Sequence, residues 1–148
     1  MIDSDREIEL RNAIEGFYFG FRAFTALPDR MLEERGLSRT HHRILYFVQR
    51  DPGIRIGSLI DLLGITKQAA HAPLRQLHHQ GLLTSAAAAT DQRARELRLT
   101  KAGRALEAEL TAVQMRVLND AFGVAGQNAE AGWRGVMAAL ASPASQRT

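Results

Sequence analysis

The sequence contains no cysteine. Disulfide bonds, thiolate metal sites, a cysteine nucleophile and cysteine-based redox switches are therefore excluded. The sequence also contains no apolar run that approaches the roughly 18 residues of a membrane-spanning helix. It begins MIDSDREIEL, a polar and acidic stretch that is unlike a secretory signal peptide. These features lead us to expect a cytoplasmic protein.

The composition is that of a soluble globular protein, with 45% hydrophobic and 24% charged residues. The 148 residues predict a single domain, 1–148, that is long enough to bury a core. The net charge of +3 is unevenly distributed. Residues 1–36 carry five arginines against eight acids, whereas residues 66–104 carry seven cations against two acids. This basic centre suits a negatively charged partner such as DNA.

The segment 66–81, TKQAAHAPLRQLHHQG, has the pattern of an amphipathic helix. At about 100° per residue, its apolar residues Ala70, Leu74 and Leu77 lie on one side. The opposite side carries hydrogen-bonding groups and a cation but no acid: Gln68, Ala72, Arg75 and His79. We therefore predict a helix that packs on one side and lies against DNA on the other.

Periodicity and turn residues predict the elements around this segment. We expect helices over 5–27, 37–49, 56–63 and 101–122, a last helix that ends near residue 141, and strands 84–87 and 95–99 paired across the loop 88–94. The predicted N-caps are Ser38, Arg55, Thr66, Thr100 and Asn128. Pro28 is expected to end the first helix, and Gly123 and Gly126 to break the fifth.

The helices over 56–63 and 66–81 are separated by a turn that contains Gly64. Two helices joined in this way form a helix-turn-helix, whose second helix enters the DNA major groove. The hairpin that follows directly is then the wing of a winged helix covering 37–100. Arg93 lies at the tip of this wing, where it can enter a minor groove, because narrow A·T tracts attract arginine.

The terminal segments carry more apolar surface than one compact domain requires. On the helix over 5–27, Phe19 projects away from the main apolar stripe. On the helix from Lys101, Met115 and Phe122 lie opposite the main stripe. We therefore predict that 5–27 and 101–141 are dimerisation helices and that 142–148 is a frayed tail. The alternative for the aromatic residues is a place in the core of one chain.

Two segments, GITKQAAHAPLRQLHHQGLL and DQRARELRLTKAG, resemble the multiple-antibiotic-resistance regulator (MarR) family of winged-helix transcription factors. The most specific part is Asp-x-Arg followed by Leu-Thr-x-x-Gly, here Asp91, Arg93, Leu99, Thr100 and Gly103. The resemblance covers the whole chain in outline and implies a mainly α fold with a small β-hairpin. It also implies a homodimeric repressor that binds a pseudo-palindromic DNA operator and is released by a small-molecule effector.

The resemblance assigns DNA contacts to the recognition helix and the wing: Thr66, Lys67, Gln68, His71, Arg75, Arg93 and Arg95. It makes Asp91 the support of Arg93, acting through Arg95. Members of the family often bind a small molecule between the dimerisation helices and the winged helix. The corresponding residues here are Phe17, Tyr18, Phe21, His41 and Arg43, and the implied effector is a small aromatic or anionic molecule.

The sequence departs from the family pattern in the recognition helix and in the wing. Ala72 and Gln76 stand where many members have arginine, and the first wing strand, usually basic, is Ser85 followed by four alanines. Pro73 falls inside the predicted helix, where a proline costs roughly 3 kcal/mol. It therefore predicts either a kinked helix or an irregular first turn. These departures keep open a winged-helix protein-interaction module and a ligand-binding carrier without specific DNA binding.

Neither a phosphate-binding glycine loop nor a Gly-x-Ser-x-Gly elbow is present in the sequence. The adjacent pairs His41–His42 and His78–His79 would diverge on a helix, and His71 has no partner at i+4. A zinc site needs three or four converging ligands. We therefore predict no enzymatic activity, no metal and no cofactor, and expect these histidines at the surface or facing DNA.

Overall fold

The computed structural model describes residues 2–91 and 93–143. Within these ranges the chain forms six helices and one antiparallel hairpin: α1 Ser4–Glu33, α2 Arg39–Arg50, α3 Ile56–Leu63, α4 Lys67–His79, β1 Leu83–Ala87, β2 Arg95–Leu99, α5 Lys101–Ala125 and α6 Gln127–Ala141. The predicted mainly α winged-helix fold is confirmed. None of the described helices is both long enough and apolar enough to cross a membrane. Residues 144–148 of the predicted tail lie outside the described ranges.

The chain forms two compact units, Met1–Val113 and Gln114–Thr148. The first is built on buried apolar side chains from every element between α1 and α5. The predicted inner face of α4 is confirmed, because Ala70, Leu74 and Leu77 all belong to this core. Full burial of one leucine side chain contributes about 1.5–3 kcal/mol, so the core determines which side of α4 remains available to a ligand.

Helix α1 is longer than predicted, because Pro28 lies inside it and does not end it. A proline in a helix interior removes one backbone hydrogen bond, at a cost of about 3 kcal/mol. Pro28 and Leu32, one turn later, are both fully buried, and their burial offsets that cost. The helix ends at Glu33, before a turn in which Gly36 has a φ of 69°.

The helices of the helix-turn-helix follow the predicted local signals closely. Helix α3 has the predicted bounds, and Gly64 ends it in the left-handed conformation with a φ of 65°. Ser38, Arg55 and Thr66 are the N-caps of α2, α3 and α4, as predicted. The short polar side chains Ser38 and Thr66 and the glycine Gly64 are local signals at element ends, and nothing in the tertiary structure overrides them here.

The wing hairpin starts at Leu83, one residue earlier than predicted, and β1 pairs antiparallel with β2. The segment before α3 joins the edge of this hairpin. The Gly53 N–H donates to the Leu97 carbonyl at 2.8 Å, and the Leu97 N–H donates to the Ile54 carbonyl at 2.9 Å. The wing is therefore held to the helix-turn-helix by backbone hydrogen bonds as well as by its buried side chains.

Helices α5 and α6 meet at Gly126, and the predicted break at Gly123 is wrong, because Gly123 lies within α5. Gly126 has a φ of 104°, a conformation that favours glycine. Gly126 is also the N-cap of α6, so the predicted cap at Asn128 is wrong as well. At the other end of α5, the predicted cap is confirmed, since Thr100 Oγ1 accepts a hydrogen bond from the Gly103 N–H at 3.0 Å.

Candidate nucleic-acid interface

The outward side of α4 is exposed, and the helix contains no acidic residue. Gln68, His71 and Arg75, three of the predicted DNA contacts, are all exposed on it. Amide and imidazole groups match the hydrogen-bonding edges of bases, and a guanidinium group can bind guanine or phosphate. The side chains that the core leaves free on α4 are therefore of the types that contact DNA.

The first turn of α4 is held by its N-cap. Thr66 Oγ1 accepts a hydrogen bond from the Ala69 N–H at 3.0 Å. A helix N-terminus carries a partial positive charge, and exposed Lys67 adds a full one. This end of the helix is therefore suited to a phosphate group.

Pro73 lies within α4 and does not divide it. The helix is continuous from Lys67 to His79 and its first turn is capped, so the predicted irregular first turn does not occur. Pro73 is half-buried beside the core residues Leu74 and Leu77. Because proline has no N–H, residue 73 cannot donate the usual helical hydrogen bond to the Ala69 carbonyl, four residues earlier.

Arg93 is exposed at the tip of the wing, as predicted. The turn that carries it is ordered by its own hydrogen bonds. Asp91 Oδ1 accepts from the Arg93 N–H at 2.9 Å, and the Ala88 N–H donates to the Ala94 carbonyl at 2.9 Å. Asp91 therefore supports Arg93 through the backbone.

The expectation that Asp91 acts through Arg95 is wrong. Arg95 Nη2 donates instead across the hairpin, to the Ser85 carbonyl at 3.2 Å and to Ser85 Oγ at 3.1 Å. Ser85 stands in the first wing strand, where the family is usually basic. The hydroxyl of Ser85 thus helps to order the cation on the opposite strand.

Arg55, for which the sequence predicted only a helix cap, also contacts the wing. Its Nη2 donates to Thr90 Oγ1 in the wing loop at 3.0 Å, and its backbone pairs with Glu96 of β2. Arg55 therefore connects the start of α3 to the wing. The exposed cation at the N-cap of α3 was the available signal, but its partner lies 35 residues further along the chain.

The sequence of this chain is similar to those of known DNA-binding regulators. The MarR family model matches residues 35–94, which include α2 to α4 and the first part of the wing. The chain is also 42% identical over 139 residues to the HTH-type transcriptional regulator PetP of Rhodobacter capsulatus, a match that covers 94% of this chain and 84% of PetP. The chain belongs to the MarR family. It is a transcriptional regulator of that family, and its relatives are regulators rather than enzymes.

Two solved structures show the same fold. NadR in complex with 4-hydroxyphenylacetate has a TM-score of 0.73 at 20% identity, covering 86% of this chain and 91% of NadR. The transcriptional repressor CouR, bound to a 23-mer DNA duplex, has a TM-score of 0.69 at 21% identity, covering 90% of each chain. At these identities the likeness shows the shared fold alone.

The five residues predicted to hold an effector lie on two helices of this MarR-family chain. On α1 and α2, Phe17, Tyr18, Phe21 and Arg43 are exposed and His41 is buried. Among the described residues, no hydrogen bond or ring contact joins the three aromatic residues to the two α2 side chains.

Phe21 has a cation beside it that sequence reasoning did not single out. Arg39 Cζ lies 5.4 Å from the centre of the Phe21 ring. The same guanidinium binds Asp29, with Nη2 2.7 Å from Oδ2, and donates to Thr25 Oγ1 at 3.3 Å. Because Arg39 is the first residue of α2, the start of α2 is held against the second half of α1.

Two histidines are placed differently from the expectation of a surface or DNA-facing role. His41 and His42 are both buried on α2. Burial lowers the pKa of each ring; for His41 a hydrogen bond to Gln76 partly opposes this, and for His42 the charge of Asp29 does so. The Nε2 atom of His42 is buried without a hydrogen-bond partner among the described residues. Within that same part of the chain, no group of three His, Asp or Glu residues could hold a metal ion.

These buried histidines predict that the protein is less stable in mild acid. The unfolded chain binds protons on them near pH 6.5, whereas the folded chain resists protonation until lower pH. Unfolding therefore takes up protons below about pH 6.5, and the free energy of unfolding decreases as the pH falls through this range. We expect the Tm to be lower at pH 5.5 than at pH 7.5, and His42→Leu to flatten the dependence. His79→Gln, at an exposed position, is the control, and an equal slope in His42→Leu and wild type would contradict the prediction.

Proposed function

We propose that the protein is a homodimeric, sequence-specific DNA-binding repressor. The observation that carries the proposal is the acid-free, exposed side of α4 beside a wing that presents Arg93. In this proposal α4 occupies the major groove and the wing reaches the adjacent minor groove. The contacting residues are those of the recognition helix and the wing: Thr66, Lys67, Gln68, His71, Arg75, Arg93 and Arg95.

Exposed apolar side chains support the proposed homodimer. On α1, Ile14, Phe17 and Phe19 are each more than half exposed, at 69%, 56% and 54%. In the second unit, α6 exposes Val136 and Leu140. Large apolar side chains that are exposed on a helix favour an interface, and a second copy of the chain would cover those of each unit. Two copies would present two recognition helices, so we expect a pseudo-palindromic operator.

The proposed operator can be tested by in vitro selection from random duplex DNA. Each half-site should be the stretch of DNA that one recognition helix contacts. The centres of the two half-sites should be separated by about 10 bp, one helical turn, or by a multiple of it. Footprinting should show protection of both half-sites on one face of the duplex. Enrichment of a single, non-repeated site would contradict the proposed dimeric binding.

We further propose that a small aromatic acid releases the protein from its operator. NadR, with the same fold, binds 4-hydroxyphenylacetate. In this chain the exposed ring of Phe21 and the Arg39 guanidinium, which also binds Asp29, supply an aromatic and a cationic group of the types that bind such a molecule. We expect hydroxylated aromatic acids, tested from 4-hydroxyphenylacetate onward, to lower operator affinity in a titration. Unchanged affinity across such a panel would contradict this part of the proposal.

A further inference from the structure

The C-terminal end of α4 is anchored to the turn between α1 and α2 by two glutamine side chains, Gln76 within the helix and Gln80 at its C-cap. Gln76 Nε2 donates to the Gly36 carbonyl at 2.9 Å, and Gln80 Nε2 donates to the Arg35 carbonyl at 3.2 Å. Gln76 and Gln80 are one turn apart, so both lie along the same flank of the helix. These bonds join the recognition helix to a segment 40 and 45 residues earlier in the chain.

Gln76 has a second partner on α2. Its Oε1 atom lies 2.9 Å from His41 Nε2, and His41 Nδ1 accepts the Ser38 N–H at 2.9 Å. We call the chain of hydrogen bonds from the Ser38 N–H through His41 and Gln76 to the Gly36 carbonyl the His41–Gln76 bridge. Both of its ends are backbone groups of the α1–α2 connection.

The backbone ends determine the direction of every hydrogen bond in this bridge. A backbone N–H can only donate, so His41 Nδ1 accepts and the ring carries its proton on Nε2. The Gln76 oxygen must then accept from Nε2, which directs the amide nitrogen to the Gly36 carbonyl, a group that can only accept. One tautomer of His41 and one orientation of Gln76 satisfy all the groups.

The position of Gln76 on α4 makes this bridge relevant to DNA binding. At about 100° per residue, Gln76 lies on the flank between the core side at Leu77 and the outward side at Arg75. Contacts from a recognition helix tolerate errors of only about 0.5 Å or 10–20°. A side chain that is hydrogen-bonded on the flank adds a directional restraint on rotation of α4 about its axis to the restraint from the apolar core.

We propose that Gln76 is a positioning residue for DNA recognition, which sets the orientation of α4 from the α1–α2 turn through the His41–Gln76 bridge. Gln76 itself then makes no base contact, and its amide is used within the protein. The proposal rests on the proposed function, because it concerns how the same helix is presented to DNA. It adds to that function a link between the α1–α2 turn and the DNA-contacting face.

The test compares Gln76→Met with Gln80→Met, a matched substitution one turn away that removes a single hydrogen bond. Affinity is measured for the selected operator and for a scrambled duplex of the same length. We expect Gln76→Met to lose about tenfold or more in operator affinity, a loss typical of one misplaced contact, with little change on the scrambled duplex. Gln80→Met should change both affinities less than threefold.

A destabilised control separates positioning from general loss of structure. Val48→Ala truncates a buried side chain of α2 that takes no part in the bridge, and it should lower the Tm without changing the ratio of operator to scrambled affinity. His41→Ala should lower that ratio as Gln76→Met does, and the double variant should lose no more than the more affected single variant.

Three results would overturn the proposal. These are an unchanged ratio in Gln76→Met, an equal fall in Val48→Ala, and losses that multiply in the double variant. Failure of the wild-type protein to distinguish its operator from the scrambled duplex would overturn the proposed function itself, and the proposal with it.

Discussion

Gly103→Ala is expected to destabilise the first unit by about 3 kcal/mol or more, the upper range for overpacking a core. A Cβ atom built at Gly103 would lie 2.0 Å from the Leu82 carbonyl oxygen, which is far inside van der Waals contact. That carbonyl is backbone and is already fixed, because it accepts the Thr100 N–H at 3.2 Å. The clash therefore requires the start of α5 to move away from Leu82, which lies between α4 and the wing.

Chemical denaturation measures this effect, and the chain supplies a matched control. Gly123 also lies within α5, and a Cβ atom built there meets nothing within 4 Å. Gly123→Ala should therefore be neutral or stabilise by up to about 1 kcal/mol, the difference in helix propensity. Equal effects of the two substitutions would show that Leu82 and α5 are not packed as described.

The same contact explains the most specific part of the family signature. Thr100 Oγ1 accepts from the Gly103 N–H and donates to the Gly81 carbonyl at 2.6 Å. The threonine thus caps α5 and binds the end of the preceding segment, while the glycine allows the backbones to approach. Leu-Thr-x-x-Gly is a packing requirement of the winged helix, whereas Asp-x-Arg orders the tip that presents Arg93.

Arg93→Ala is expected to weaken binding to most DNA sequences, by at least tenfold at low salt, because the wing contact does not depend on the major-groove bases. Arg75→Ala is expected to act differently. As a base contact of α4, it should cost about 1–3 kcal/mol at one position of the half-site and relax the preference there. Binding to a set of singly substituted operators distinguishes a uniform loss from a local one.

Arg11→Ala controls for the change in net charge. Arg11 is an exposed cation on α1 and is paired with Glu7 at 3.0 Å. The Arg11→Ala substitution should leave both the DNA affinity and the base preference unchanged. If Arg93→Ala and Arg75→Ala gave the same profile across the substituted operators, the separate roles assigned to wing and helix would be wrong.

Much of the fold could be predicted because its signals are local. The N-caps Ser38, Thr66 and Thr100 and the left-handed Gly64 each act within one turn, and the apolar side of α4 follows from its spacing. The predicted helix ends at Pro28 and Gly123 were wrong for different reasons. Burial of Pro28 offsets the cost of a proline within α1, and Gly123 adopts the helical conformation that glycine permits within α5. Local chemistry predicts where an element can end, but packing decides whether it does.

The candidate nucleic-acid interface was predictable in part for the same reason. The outward side of α4 and the position of Arg93 follow from periodicity and from the hairpin. The partners of Gln76 and Arg55 do not, because His41 and Thr90 each lie 35 residues away in the sequence. A polar residue on a helix flank has no local signal that distinguishes a DNA contact from a bond within the protein. Gln76 is such a residue, and it stands at a position where many family members have arginine.

The central claim is that α4 and the wing together bind a specific DNA sequence. The most direct test is the ratio of the affinities for the selected operator and for a scrambled duplex, measured between about 50 and 200 mM salt, a range in which phosphate contacts weaken. We predict that both affinities fall steeply with salt, whereas the operator remains at least about 1,000-fold preferred. A ratio near one at every salt concentration would contradict the claim and would favour a winged-helix module that does not recognise DNA sequence.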